Sequence, residues 1–331
     1  MRGVRLALQI FLLGAGVAVA LGAKCADPKY ERFSGHAMCL SAGSCTGKNL
    51  ITSGLKEDHA LALLHAINRF RSLVATGSVP GFSPAGNMRQ LVWDEELAEI
   101  AQRWSEQCIM KEDFSRTERF EVGQIMGHEW KTPITEGMNR DPFLLDFLLM
   151  VFWNAFDMTY PARHVSEFVP LEANIKLTQL IWAESAFIGC GHTIYGDNVQ
   201  GHVSQIKSLF CNFGPRGNVE GESVYEEGLP ACEVPSGYYE GLCSTKEIEA
   251  AYLDPCKRKN FAKAYPALCD DRLFYKWIGH GVPFPYRWCN SGLWKRRFWF
   301  AFWVLATLLL SLLVGVGLRL SRQSRRQPAP A

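Results

Sequence analysis

Between residues 55 and 76 the apolar side chains recur every three or four positions, at Leu61, Leu64, Ile67, Phe70 and Val74. That period predicts an amphipathic helix, and Gly77 is a residue expected just past its end. After a Pro/Gly-containing loop over 77–86, Leu97, Ala101, Trp104 and Cys108 fall on one face of a second helix, with Asp94 placed to cap it. Residues 141–158 are predominantly apolar but interrupted by Asp146, which predicts a buried helix too short to span a bilayer. Thr178 to Gly191 is rich in β-branched and aromatic residues with imperfect alternation. It predicts a strand, a bend near 183–185 and a second strand through His192–Tyr195. Gly196-Asp197-Asn198 is turn chemistry, after which 203–213 returns antiparallel and brings Cys211 beside Cys190.

Two longer apolar runs bracket the chain. Arg2 and Arg5 precede Leu6–Val19, and small residues follow at 20–23, the pattern of a signal peptide cleaved before Lys24. Near the other end, Phe298–Leu318 follows Lys295-Arg296-Arg297 and spans about 30 Å as a helix at roughly 1.5 Å per residue. Aromatic residues crowd its first edge, as at a membrane interface. The tail of a cleavable lipid-anchor signal would end the chain, whereas here Arg319, Arg322, Arg325 and Arg326 follow. The expected order is therefore a signal peptide (1–23), a cysteine-stapled extension (24–55), a main domain (56–217) and a linker with a cysteine-containing tail (218–293). A transmembrane helix (294–320) and a short basic cytoplasmic tail (321–331) complete it. This is a single-pass type I arrangement at the plasma membrane, with a secreted protein as the alternative.

Composition sharpens that picture. A net charge of +2 makes no case for nucleic acid. Eleven cysteines suit an oxidising compartment, where they pair. Five of them, Cys232, Cys243, Cys256, Cys269 and Cys289, lie in the tail and leave one over, which either stays free or links a second copy in a disulfide-bonded dimer. No Asn-x-Ser/Thr site is present, so N-glycosylation is not expected.

Thr178-Gln179-x-x-Trp182, then Ile188-Gly189-Cys190-Gly191 and Cys211-Asn212-Phe213-Gly214-Pro215, resemble in order and spacing the CAP family of cysteine-rich secretory, antigen five and pathogenesis-related proteins. The resemblance covers roughly residues 25–220 and implies an α/β fold, a three-layer α-β-α sandwich with an antiparallel central sheet. The family's HNxxR signature is damaged: Asn68 and Arg71 stand in place, but Ile67 holds the histidine position. His36-Ala37-Met38-Cys39 resembles the HxxC of insect antigen-five proteins. That likeness implies the pairs Cys25–Cys39 and Cys45–Cys108, beside Cys190–Cys211.

In this family a cavity commonly carries two histidines and two acidic residues that can hold zinc, a donor set suited to that ion. The aligned positions here are Glu112, Gln124, Phe156 and Lys176. A protonated lysine is no metal ligand and phenylalanine has no donor atom. Glu112 and Lys176 either face one another as an ion pair or both lie in solvent at the cavity rim. His128, Glu129 and His164 lie nearby in sequence without a metal-binding spacing, and Ser115, Ser166 and Ser185 lack a nucleophile-elbow pattern. No metal, no cofactor and no catalytic residue is expected. The reading is a membrane-tethered extracellular binding module for a protein or lipid partner, held to the membrane through 298–318. The alternatives are a hydrolase or protease with a divergent site, and a sterol- or fatty-acid-binding protein.

Overall fold

A computed structural model describes residues 25, 27–79, 81–131, 160–199 and 201–280. The expected signal peptide, the 141–158 helix, Phe156, Cys289 and the apolar run 298–318 lie outside the described residues. Among the described residues no helix is long and apolar enough to cross a membrane. The chain divides into two compact units, one running to Tyr265 and one starting at Pro266.

In the first unit, β1 (Asn49–Ser53), β2 (Val92–Trp93), β3 (Gly123–Lys131), β4 (Phe187–Val199) and β5 (His202–Gly214) form one sheet in the order β1-β4-β5-β3. All pairings on that path are antiparallel, and the two-residue β2 runs parallel to β4. Helices α1 (Glu57–Ala75), α2 (Glu95–Ser105) and α3 (Ile175–Leu180) pack around it, and α4 (Lys246–Ala251) and α5 (Lys259–Ala264) follow. The second unit holds α6 (Pro266–Cys269) and α7 (Asp271–His280), with Leu268, Phe274 and Ile278 buried.

The first two predicted helices form where their periodicity placed them. In α1 the residues Ile67, Phe70 and Val74 are fully buried, whereas Leu61 and Leu64 are only half-buried and face a groove. Helix α2 begins as its sequence dictates: the Asp94 carboxylate accepts the Leu97 N–H at 3.0 Å, satisfying a backbone donor the helix leaves open. Its last helical residue is Ser105, so Cys108 sits beyond it with φ of +57°, bonded to Cys45.

The Gly-Cys-Gly of β4 explains how α2 docks. Alternation sends Gly189 and Gly191 to one face and Cys190 to the other. A Cβ on Gly189 would lie 2.2 Å from the Ala98 nitrogen, and one on Gly191 would lie 2.3 Å from Gln102 backbone atoms. The two glycines thus admit the α2 backbone while the cysteine between them reaches Cys211, its register partner, with Cα atoms 4.1 Å apart. On the opposite face, Gly123 of β3 admits the Gln179 side chain of α3. Helices therefore lie on both faces of the sheet.

Two local expectations are corrected. Thr178–Leu180 is not a strand but part of α3, where the Thr178 hydroxyl donates back to the Asn174 and Ile175 carbonyls. Burial of Thr178 and Gln179 among polar partners outweighs the β-propensity of the segment. Gly196–Asn198 is not the turn either. These residues pair with Gln205, Ser204 and Val203, and the hairpin closes later, where Gly201 supplies φ of +83°.

The staples lie where the resemblance implied them, Cys25–Cys39 and Cys45–Cys108. In the tail Cys232 bonds Cys243, and Cys243 exchanges backbone hydrogen bonds with Met88 and Gln90 at 2.8 Å each. Cys256 and Cys269 are each disulfide-bonded.

Candidate functional site

Three of the four aligned cavity positions are described. Glu112 comes from the loop after α2, Gln124 from β3 and Lys176 from the first turn of α3, and each is half-buried. Glu112 and Lys176 act on one another. Burial pushes the Glu112 carboxyl up, and the Lys176 ammonium opposes that shift; burial pushes Lys176 down, and Glu112 opposes it. Both groups are half-buried and partly desolvated, and each feels the charge of the other. Such a pair costs desolvation and adds little net stability. Lys176 also reaches His128, whose imidazole is pushed down first by burial and then by that positive charge.

Gln124 is fully engaged. Its Oε1 accepts the Asp113 N–H at 2.7 Å and its Nε2 donates to Asn212 Oδ1 at 2.7 Å. Asn212 in turn donates to the Leu97 carbonyl at 3.1 Å, so one amide chain ties β3, β5 and α2 together. Both polar ends of Gln124 are thus committed to the scaffold.

Beside this chain lies a cluster that sequence reasoning missed. The Ser115 hydroxyl donates to the Asp113 carboxylate and accepts the Ala37 N–H at 3.2 Å. Burial raises Asp113 above the usual carboxylate range, against the Ser115 hydrogen bond. His36 Nδ1 accepts the Met38 N–H at 3.1 Å, which leaves Nε2 to donate to the Arg116 carbonyl at 2.8 Å. Burial holds that imidazole below its ordinary value, consistent with a neutral ring. These groups anchor the N-terminal extension to the loop carrying Glu112. The one signal in the sequence was the HxxC itself.

His128, Glu129 and His164 are not brought together. His128 and Glu129 are successive residues of β3 and point to opposite faces, Glu129 toward Lys207 at 3.7 Å. His128 stacks on Trp130, with ring centroids 5.4 Å apart, and His164 sits in the turn Ala162–His164. Among the described residues no three His, Cys, Asp or Glu side chains are grouped to hold a metal ion. The serines weighed as nucleophiles have scaffold partners: Ser185 donates to the Pro215 carbonyl at 2.8 Å and Ser166 to that of Arg163 at 3.4 Å.

Arg71 is heavily bonded. It is fully buried and donates to the carbonyls of Arg89, Leu180, Trp182, Ala183 and Ser185. Asn68, one turn earlier, exchanges two hydrogen bonds with the Leu91 backbone, at 2.8 and 2.9 Å. The surviving Asn and Arg of the HNxxR signature therefore fasten α1 to the segments flanking β2 and β4.

The model of the cysteine-rich secretory protein (CAP) family matches residues 64–213. Venom allergen 5 of Lycosa singoriensis is 34% identical over 238 residues, covering 70% of this chain and 60% of that protein. Venom allergen 5.02 of Vespa crabro is 34% identical over 203 residues, 58% of this chain and 93% of that protein. The chain spans 53% of the length of venom allergen 5 from Tityus serrulatus and 59% of the CRISP/Allergen/PR-1 protein of Trittame loki. A crystal structure of NaASP2 with Zn2+ superposes with a TM-score of 0.47 at 23% identity, over 58% of this chain and 97% of that one. By its match to the family and its identity to venom allergens spanned over most of their length, the chain belongs to the CAP family, with a venom-allergen-like extracellular domain.

Proposed function

We propose that this chain is a membrane-tethered extracellular binding module that engages a protein or lipid partner without metal chemistry or catalysis. The observation that carries this reading is the replacement of the cavity's donors. A lysine opposes Glu112, and the Gln124 amide is spent at both ends on the scaffold. A protonated ammonium repels a cation where an imidazole would bind one. Ser115 is engaged by Asp113 and Ala37 and Ser185 by Pro215, scaffold partners that support a binding role over a hydrolytic one. The tether rests on the sequence of 298–318, long enough for a hydrocarbon core and bordered by basic residues. A soluble CAP domain diffuses away from its site of secretion, whereas a tethered one acts next to the membrane that carries it.

Expression of the full chain in cells tests the tether and the partner class together. Surface biotinylation is expected to label the chain on intact cells, and alkaline carbonate is expected to leave it in the membrane pellet. Recovery of the whole chain from the medium would sink the tether. Stoichiometric lipid extracted with the mildly purified chain would favour a lipid over a protein partner.

A further inference from the structure

Away from the Glu112 cavity, the edge of the sheet carries a notch. Strand β1 pairs with β4 from Thr193 to Gly196 and β2 pairs with Phe187 and Ile188, so among the described residues no strand covers the β4 edge between them. Beside this gap residues of α1 and α2 line an open groove of about 630 Å³ that also reaches Cys190 of β4. That volume is in the range of small-molecule sites, roughly 300–1,000 Å³. Helix α1 contributes Leu61 and Leu64, half-buried one turn apart, joined by Leu55 before the helix and by Trp93 of β2. These are the residues that made the predicted stripe of α1 wider than its buried core.

The rim has one sign of charge. Glu57 enters from α1, and Glu95 and Glu99 enter from α2, one turn apart on the same face. Glu57 is paired with Arg258 at 2.8 Å. Among the described residues no ion pair engages Glu95 or Glu99. Glu95 stands in the first turn of α2, where the helix dipole favours an anion. Glu99 lies beyond that turn and faces a like charge four residues away, an arrangement that weakens a helix by a few tenths of a kcal/mol. Gln102, the remaining polar side chain from α2, is tied to His192, Ser53 and Glu106.

An apolar body with two unmatched carboxylates, Glu95 and Glu99, at its rim and an aromatic ring in its wall is complementary to a cation on a hydrophobic frame. We infer that the α1–α2 groove binds an apolar small molecule bearing a protonated amine, its frame against Leu61, Leu64 and Trp93 and its ammonium at Glu95 and Glu99. Trp93 adds a π-face for the cation. A fatty acid would bring its carboxylate to like charges, so this groove discriminates against the anionic lipids that share its apolar requirement. The inference is independent of the metal question and of the tether, because none of its residues belongs to either.

The test uses the full chain in lipid nanodiscs, with empty nanodiscs as the blank, and three probes sharing one phenyl frame. These are 2-phenylethylamine, 2-phenylethanol and 3-phenylpropionate, followed by saturation-transfer NMR at pH 7. The amine is expected to bind saturably and at least tenfold more tightly than the alcohol, and the carboxylate is expected not to bind. The variant E95Q/E99Q, altered only at two exposed side chains, is expected to lose at least tenfold in amine affinity while keeping its melting temperature. Raised salt is expected to weaken the wild type toward the variant. Equal affinity for amine and alcohol, unchanged amine binding in E95Q/E99Q, preference for the carboxylate, or no saturable amine binding would each overturn the inference.

Discussion

Replacing Arg71 by methionine keeps the aliphatic stem and removes every donor. The guanidinium makes six hydrogen bonds of 2.7 to 3.3 Å to five carbonyls. Two of those carbonyls have a second backbone donor, Trp182 from Ser185 and Ala183 from Arg89. Leu180 and Ser185 lie in the interior and have Arg71 as their donor among the described residues. A buried acceptor left unsatisfied costs about 1–3 kcal/mol, so two of them cost about 2–6 kcal/mol, a large part of a typical domain's stability. Burial already pushes the Arg71 pKa down to about 9, a measure of how little water supports its charge. A loss near 4 kcal/mol lowers Tm by about 8–16 °C in a domain of 150–250 residues. Arg71→Lys is expected to behave almost as badly, because one ammonium cannot serve carbonyls spread around a planar fork. Urea unfolding with disulfides intact reads both variants. A loss below about 1 kcal/mol for Arg71→Met would refute the claim that this side chain fastens α1 to the 180–185 segment.

Three further outcomes follow from the same geometry. Gly191→Ala places a methyl 2.3 Å from the Gln102 backbone, where ordinary contact begins at 3.4 Å, so α2 must retreat by about 1 Å. Overpacking of this kind costs about 1–3 kcal/mol or more, whereas Gly196→Ala in the same strand has its nearest neighbour at 3.6 Å and is expected to change Tm little. Equal melting of the two variants would contradict the account of the Gly-Cys-Gly motif. His192 is buried, and burial, then the nearby His59 and Lys207, pushes its pKa down to about 4 from the ordinary 6.5. The unfolded chain therefore takes up a proton below pH 6.5 that the folded chain refuses until about pH 4. Stability falls across that window, by about 3 kcal/mol for this one group. His192→Gln is expected to remove that component from the slope of stability against pH, and an unchanged slope would count against it.

Legibility in the sequence followed the locality of the physics. Helix α1, helix α2 with its Asp94 cap, and the approach of Cys211 to Cys190 were readable because each rests on short-range spacing. Thr178–Leu180 was misread because β-branched content was weighed without the buried polar partners that hold it helical. The hairpin turn was misplaced because Gly196-Asp197-Asn198 has turn composition yet sits in a ladder whose length is set by β5. Cys232–Cys243 was closed to sequence, since five tail cysteines allow many pairings. Of the site, the opposite charges of Glu112 and Lys176 were legible, because family spacing put both at cavity positions, and each acts on the other's titration. The Arg71 fan, the Gln124–Asn212 chain and the Asp113–Ser115–Ala37 contact were not, because their partners include backbone groups that carry no sequence signal.

Zinc titration of the full chain by calorimetry, with Glu112→Ala beside it, tests the central claim most directly. With Lys176 opposing Glu112 and the Gln124 amide tied at both ends, the account predicts no saturable heat in either protein. Stoichiometric zinc binding that disappears in Glu112→Ala would contradict it, showing that the cavity still gathers a ligand set around that carboxylate and that the chain's function runs through a metal.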